Sequence, residues 1–384
     1  MPGTLSFSRK RCERKTNNFS LSFIKTKYEI DIIVEQKIGR KTIRVEQMVK
    51  IKDIAKACNT SSATVSKALR NSTELSQATI DRIQKKAKEL GYVPNAYARA
   101  LKMKHSFSIG VIFHDPTHGG LRHEYFSTVI EALKAEAESA GYAITFLSRS
   151  PKMPSDSYLA LARYWNMDGV VIVSEDFTDP ALLELVNSSL PVVAIDYVYP
   201  HTTTVLSDNA EGMEKLVNYI VSLGHKKIAF IHGEMTDVTK KRIDGYRNAL
   251  KKNSISFREE YLKEAVFHLP KASGHATKQL LALPDRPTCI CYPDDVSMLG
   301  GFTALQEVGL VPGRDISIAG YDGVELSRLY RPRFTTYHQN AQELGSQAAK
   351  LLIDHIENGP KAEPTILTVE GSIQTGETVV NLKK

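Results

Sequence analysis

Between Ile51 and Lys104 apolar residues recur at three- and four-residue spacing: Ile54, Ala55 and Cys58, then Val65 and Leu69, then Ile80, Ile83, Ala87 and Leu90. That period predicts three short helices, each burying one face. Asn59-Thr60-Ser61 lies between the first two, where Asn tolerates a left-handed turn and the hydroxyls can cap the next helix. The spacing is that of a helix-turn-helix, whose second helix, Ser62 to Leu69, exposes Ser62, Ala63, Ser66 and Lys67. A solvated helical bundle without a ligand would show the same pattern. Beyond it, Gly91 ends a helix, Pro94 blocks its continuation and Asn95 can start another, which is too short to be stable alone.

From Ser106 the pattern becomes an alternation of strands and amphipathic helices. Strands are expected at Ile109–Phe113, Ala143–Leu147, Gly169–Val173 and Pro191–Ile195, with helices at Phe126–Ala140, Tyr158–Tyr164 and Pro180–Asn187. A second cycle has helices at Ala210–Leu223, Lys241–Lys251, Ala272–Leu283 and Val296–Val308, and strands at Lys227–His232, Glu264–Phe267, Cys289–Tyr292 and Ser317–Tyr321. This order implies two doubly wound parallel sheets covered by helices, with a ligand cleft at the carboxyl ends of the strands. Residues 1–47 show no clear period apart from one candidate strand, Tyr28–Val34.

The chain has 384 residues, 42% of them apolar, enough for two or three globular units. No apolar run reaches eighteen residues, and the start lacks a secretory pattern, so a cytoplasmic location is expected, on the nucleoid when DNA-bound. Four cysteines are too few for a disulfide framework, and Cys289 and Cys291 are expected to face opposite sides of a strand as packing thiols. The net charge of +7 is unevenly spread: +6 over residues 1–47, +8 over 48–105 and −7 over 106–384. Basic charge confined to the front fits contact with a polyanion there.

Val65-Ser66 followed by Tyr92-x-Pro94-Asn95-x-x-Ala98-Arg99-x-Leu101 resembles the headpiece and hinge of the LacI/GalR family of bacterial transcriptional repressors. Asp168-Gly169, Asp208-Asn209-x-x-Gly212, Gly224-His225, Arg242-x-x-Gly245-Tyr246, Gly320-Tyr321-Asp322 and Thr335-Thr336-x-x-Gln339 resemble that family's periplasmic-binding-protein-like core. The resemblance spans about residues 49–380. Arg333-Phe334 and Thr375-Gly376 depart from the family pattern.

The resemblance implies an α/β chain with an all-α N-terminal headpiece. Residues 48–93 would form the helix-turn-helix domain and 94–105 the hinge helix and linker. Residues 106–384 would form a two-lobed core, lobe 1 about 106–207 and 339–368, lobe 2 about 208–338 and 369–384. Residues 1–47 would be a disordered leader or a misassigned start. Ser62, Ala63 and Lys67 would meet base edges, with Thr60, Ser61, Thr64 and Asn71 near phosphates. Asn95, Ala98, Arg99, Leu101 and Lys102 would form the hinge contacts, Leu101 wedging into the minor groove of a dimer's operator. Tyr125, Phe126, Asp208, Arg242, Asp295 and Asp322 would bind a small-molecule effector, expected to be a sugar or sugar derivative.

The function expected is therefore a homodimeric or tetrameric operator-binding regulator, read as a repressor, with no cofactor, metal or membrane partner. An exported sugar receptor would not carry residues 51–101. An enzyme would need a nucleophile, metal motif or phosphate loop, and none is found.

Overall fold

The computed structural model describes residues 49–92, 105–115, 120–150, 152, 155–359 and 363–383, together with the backbone of three strands between 19 and 46. Two units are distinct, residues 1–99 and 100–384.

In the first unit, helices α1 (Ile51–Ala57), α2 (Ser62–Ala68) and α3 (Gln77–Glu89) close on Ile54, Val65, Ala68 and Ile83, all without solvent exposure. Burial of such side chains contributes about 1.5–3 kcal/mol each. The turn after α1 is made by Asn59 at a φ of 49°. Ser61 then caps α2, its Oγ accepting from the Thr64 amide at 3.0 Å. At the start of α1 the Lys50 amide donates to Asp53 Oδ2 at 2.9 Å.

The leader differs from the single strand expected of it. Strands β1 (Phe19–Lys25), β2 (Glu29–Gln36) and β3 (Gly39–Glu46) form an antiparallel meander in that order. Its signal is a period of two, with Phe19, Leu21 and Phe23, then Ile30, Ile32 and Val34, then Ile43 and Val45, set among many charged and polar residues.

The second unit holds two six-stranded sheets. The first runs β14 (Ile366–Val369), β8 (Thr203–Ser207), β7 (Val192–Ile195), β6 (Gly169–Ser174), β4 (Ser108–Phe113), β5 (Ala143–Phe146), all parallel. The second runs β10 (Leu262–Glu264), β9 (Ile228–His232), β11 (Cys289–Cys291), β12 (Ser317–Asp322), β13 (Thr335–His338), β15 (Ser372–Gln374), parallel except for its last pair. The chain passes between the sheets three times: after Ser207, after His338 and after Val369. Helices α4 (Glu124–Ser139), α5 (Tyr158–Tyr164) and α6 (Pro180–Val186) cover the first sheet; α7 (Asn209–Ser222), α8 (Asp237–Lys252), α9 (Pro270–Leu281) and α10 (Asp295–Glu307) cover the second. After a short turn, α11 (Leu326–Leu329), comes α12 (Ala341–Asn358), an eighteen-residue helix that packs on the first sheet and that the sequence reading lacks.

Cys289 and Cys291 correct another expectation. Two residues apart in β11, they share one face and one core cluster, as the two-residue period of a strand requires. Both are fully buried. Burial, with the neighbouring Cys291 thiol, pushes the Cys289 thiol well above its ordinary range, which suits packing and not reactivity. No helix among the described residues is long and apolar enough to cross a membrane.

Candidate functional site

On the first unit, α2 leaves Ser62 and Ala63 exposed at its N-terminal end, with Ser66 and Lys67 half-buried one turn on. Lys67 is already engaged: its Nζ is ion-paired with Glu74 in the loop before α3. Thr60 and Thr64 are half-buried beside the capping Ser61, whose hydroxyl lies 2.9 Å from Thr64 Oγ1. Asn71, at a φ of 53°, accepts from Gln84 Nε2 at 2.7 Å. The seven expected DNA contacts, Thr60 to Thr64, Lys67 and Asn71, therefore cluster on α2 and its two flanking turns. Asn95, Ala98, Arg99, Leu101 and Lys102 lie outside the described residues.

On the second unit the carboxyl ends of both sheets face one cavity of about 510 Å³, a usual size for a small-molecule site. From the first sheet it takes Asp115 after β4, Ser174 at the end of β6 and Glu175 to Phe177 after it, and Ile195 to Tyr197 at the end of β7; α4 contributes Tyr125 and Phe126. From the second it takes Glu234 after β9, Phe267 and His268 after β10 and Asp322 at the end of β12, with Arg242 from α8.

Arg242 reaches this position because Gly245, one turn later, lets α8 lie against the start of α7: any Cβ at 245 would collide with the Ala210 carbonyl. The close approach sets Arg242 Nε 2.8 Å from Asn209 Oδ1 and Nη1 2.8 Å from the Pro293 carbonyl. Its guanidinium also lies over the Tyr321 ring, 3.7 Å from the centroid, an interaction that strengthens when desolvated. Opposite it, the Tyr125 hydroxyl donates to Asp196 Oδ2 at 3.2 Å, and Asp196 Oδ1 accepts from the Ser207 amide at 2.7 Å. Burial pushes the Asp196 carboxyl above the usual range, opposed by that amide and by Arg242. Phe177 and Tyr197 stack face to face with centroids 4.7 Å apart.

The lining is acidic. Asp115, Glu175, Asp176, Asp196, Glu234, Asp237 and Asp322 stand against one arginine and two histidines. Such a wall repels phosphate and carboxylate ligands and offers acceptors to hydroxyl or N–H donors, while the aromatic faces suit a ring.

Of the six expected ligand residues, Tyr125, Phe126, Arg242 and Asp322 line the cavity; Asp208 and Asp295 do not. Asp208 is captured by the Tyr337 hydroxyl, 2.9 and 2.8 Å from its two oxygens, and by Lys215 at 3.4 Å. Asp295 is turned inward to accept from the Gly323 and Val324 amides at 2.8 and 3.0 Å, so it shapes the turn that carries Asp322. Burial, then the Asp322 charge, push Asp295 well above the usual carboxylate range. As cavity residues the sequence reading lacks Phe177, Tyr197, Phe267 and His268, which sit in loops after strand ends; of these only Phe267 falls in an expected element, the strand Glu264–Phe267.

The description "Bacterial regulatory proteins, lacI family" matches residues 50–95, and "Periplasmic binding protein-like domain" matches residues 217–379. The HTH-type transcriptional repressor PurR of Mannheimia succiniciproducens is 32% identical over 325 residues, covering 83% of this chain and 95% of that protein. The lac repressor dimer bound to operator and the anti-inducer ONPF superimposes with a TM-score of 0.75 at 25% identity, over 87% of this chain and 100% of that one. The regulator CelR in complex with cellobiose shares the fold, with a TM-score of 0.63 at 23% identity over 86% and 99% of the two chains.

Proposed function

The chain belongs to the lacI family of bacterial regulatory proteins, and from that premise we propose how this DNA-binding transcriptional repressor, which is not an enzyme, reads its operator and its effector. It acts in the cytoplasm as a homodimer on a pseudo-palindromic operator. Helix α2 enters the major groove, where Ser62, Ala63 and Lys67 meet base edges and Thr60, Ser61, Thr64 and Asn71 hold phosphates. Asn95, Ala98, Arg99, Leu101 and Lys102 form the hinge contacts in the minor groove, Leu101 as the wedge.

The effector is a neutral ring compound rich in hydroxyls, a sugar or sugar derivative, bound by Tyr125, Phe126, Arg242 and Asp322. The observation that carries this reading is the acid-lined, aromatic-walled cavity between the two sheets. Its occupancy biases the relative angle of the lobes and, through the hinge, DNA affinity. A purine base is the second reading, favoured by the 32% identity to a repressor named PurR and by the flat aromatic faces.

A thermal-shift screen of the full chain against neutral sugars, sugar phosphates and purine bases tests both. A ligand at a hundred times its dissociation constant stabilises by about 2.7 kcal/mol. Stabilisation by neutral sugars supports the first reading and by purine bases the second. Stabilisation by sugar phosphates alone would contradict the electrostatic argument.

A further inference from the structure

His123 stands immediately before α4 and is 7% exposed, yet both its ring nitrogens are buried without a hydrogen-bond partner. A buried imidazole left this way loses its hydration with no return, a state that native structures seldom keep unless something else binds there. Its neighbour across the cleft is His268, with ring centroids 3.7 Å apart. Asp322 completes the group: one ligand atom from each of His123, His268 and Asp322 falls within 4.8 Å of the others.

We infer that His123, His268 and Asp322 form a binding site for a divalent transition ion of the zinc class, made from both lobes and joining them. Two imidazoles and one carboxylate are a donor set that borderline ions take and that calcium and magnesium do not. At ordinary zinc–ligand lengths the donor atoms of a tetrahedral set stand about 3.3–3.5 Å apart, so the group has to contract by up to about 1.5 Å, within reach of side-chain rotation.

One of the three donors is already held from behind and a second has a carboxylate close by. His268 Nδ1 faces Asp294 Oδ1 at 3.5 Å. Asp294 is itself fixed by the Ser297 amide and hydroxyl, both at 2.7 Å, and by the His268 amide at 3.0 Å. A carboxylate behind an imidazole is the arrangement that sets tautomer and direction in metal sites. On the other side, Gln339 Nε2 holds Asp322 Oδ1 at 2.6 Å. The fourth position is left to water or to a donor from a molecule in the cavity, which His268 and Asp322 also line. His123 belongs to the first lobe and the other two donors to the second, so an ion here resists separation of the lobes.

The site shares Asp322 with the proposed effector pocket, but its test uses neither operator nor effector. Chelator-treated full-length protein is titrated with zinc chloride by calorimetry and with cobalt(II) chloride by absorption. One equivalent is expected to bind with d–d bands of low-coordinate cobalt and no thiolate charge-transfer band, and zinc is expected to raise the melting temperature. His123→Phe preserves the ring packing and is expected to weaken binding by about a hundredfold or more. Should that variant fail to fold, His268→Gln carries the same expectation. Absence of binding to the folded wild type, a thiolate band, or unchanged affinity in the folded variant would each overturn the site.

Discussion

Gln339 ties Asp322 to the opposite lobe. Its Nε2 donates to Asp322 Oδ1 at 2.6 Å, and its Oε1 accepts the Ser207 hydroxyl at 2.6 Å. Ser207 ends β8 of the first sheet and Asp322 ends β12 of the second, so one buried amide at a chain crossing registers a cavity carboxylate against the other lobe. Replacing it with the similarly sized Gln339→Leu leaves two buried polar groups unsatisfied. The expected loss is about 1–3 kcal/mol in stability for each group, with weaker effector binding. Denaturant titration and calorimetry read the two effects, and unchanged values in both would remove this linkage from the mechanism.

Asp322→Ala and Arg242→Ala are expected to abolish the effector response while leaving operator binding in the absence of ligand. Arg242 is held inside the second unit, by Asn209, Pro293 and Tyr321. Calorimetry on the folded variants is the check; retained ligand affinity would reassign the site.

Much of the fold is legible because its helices are amphipathic. Tyr158–Tyr164 falls where the spacing puts it, whereas the strand expected at Glu264–Phe267 lies at Leu262–Glu264 because a three-residue edge strand has almost no period. Helix α12 carries the same signal, with Leu344, Ala348, Leu352 and Ile353 at helical spacing on its buried face, although the small or polar Ala341, Gly345, Ala349 and His355 dilute it. At the site, position along the chain is readable but orientation is not. Asp208 and Asp322 both follow strands, and only the structure shows that the Tyr337 hydroxyl draws the first away from the cavity.

Acid stability should carry the signature of His225. It has no solvent exposure, its Nε2 lies 3.0 Å from the Val380 carbonyl, and its Nδ1 lies 2.9 Å from Thr288 Oγ1. Burial holds its pKa below the usual 6.5, opposed by that carbonyl. The folded pKa is the lower one, so the unfolded chain binds more protons between the two values. The contribution is present above 6.5 and is lost as pH falls through that window. Stability measured by denaturant from about pH 7 to 5 should fall less steeply in His225→Gln than in wild type; parallel slopes would exclude this residue.

Leu101→Ala is expected to weaken operator binding by about 1–3 kcal/mol while sparing salt-driven binding to random DNA. The motive is an apolar residue among Arg99, Lys102 and Lys104. Equal losses on both DNAs, in a filter or fluorescence titration, would dismiss the wedge.

A protein beginning at Met48 is expected to bind its operator with an unchanged salt dependence, as it should if residues 1–47 are dispensable for DNA binding. The competing view, a basic arm of net charge +6, predicts a slope of log affinity against log salt that flattens on truncation by about 0.9 for each phosphate the arm neutralises. Comparison with the full chain, with the intact mass of the natively expressed product, decides between them.

If Lys67 meets a base edge as proposed, its pairing with Glu74 makes that reading an exchange of partners. A base edge or phosphate that takes the lysine has to displace a tethered carboxylate, a local rival whose concentration never dilutes. The pair faces solvent, so it is weak and readily displaced. Its effect is felt chiefly in ionic strength. Salt that screens the lysine from DNA also loosens it from Glu74, so the two effects partly cancel and Lys67 adds less than an unpaired lysine would to the salt dependence of binding.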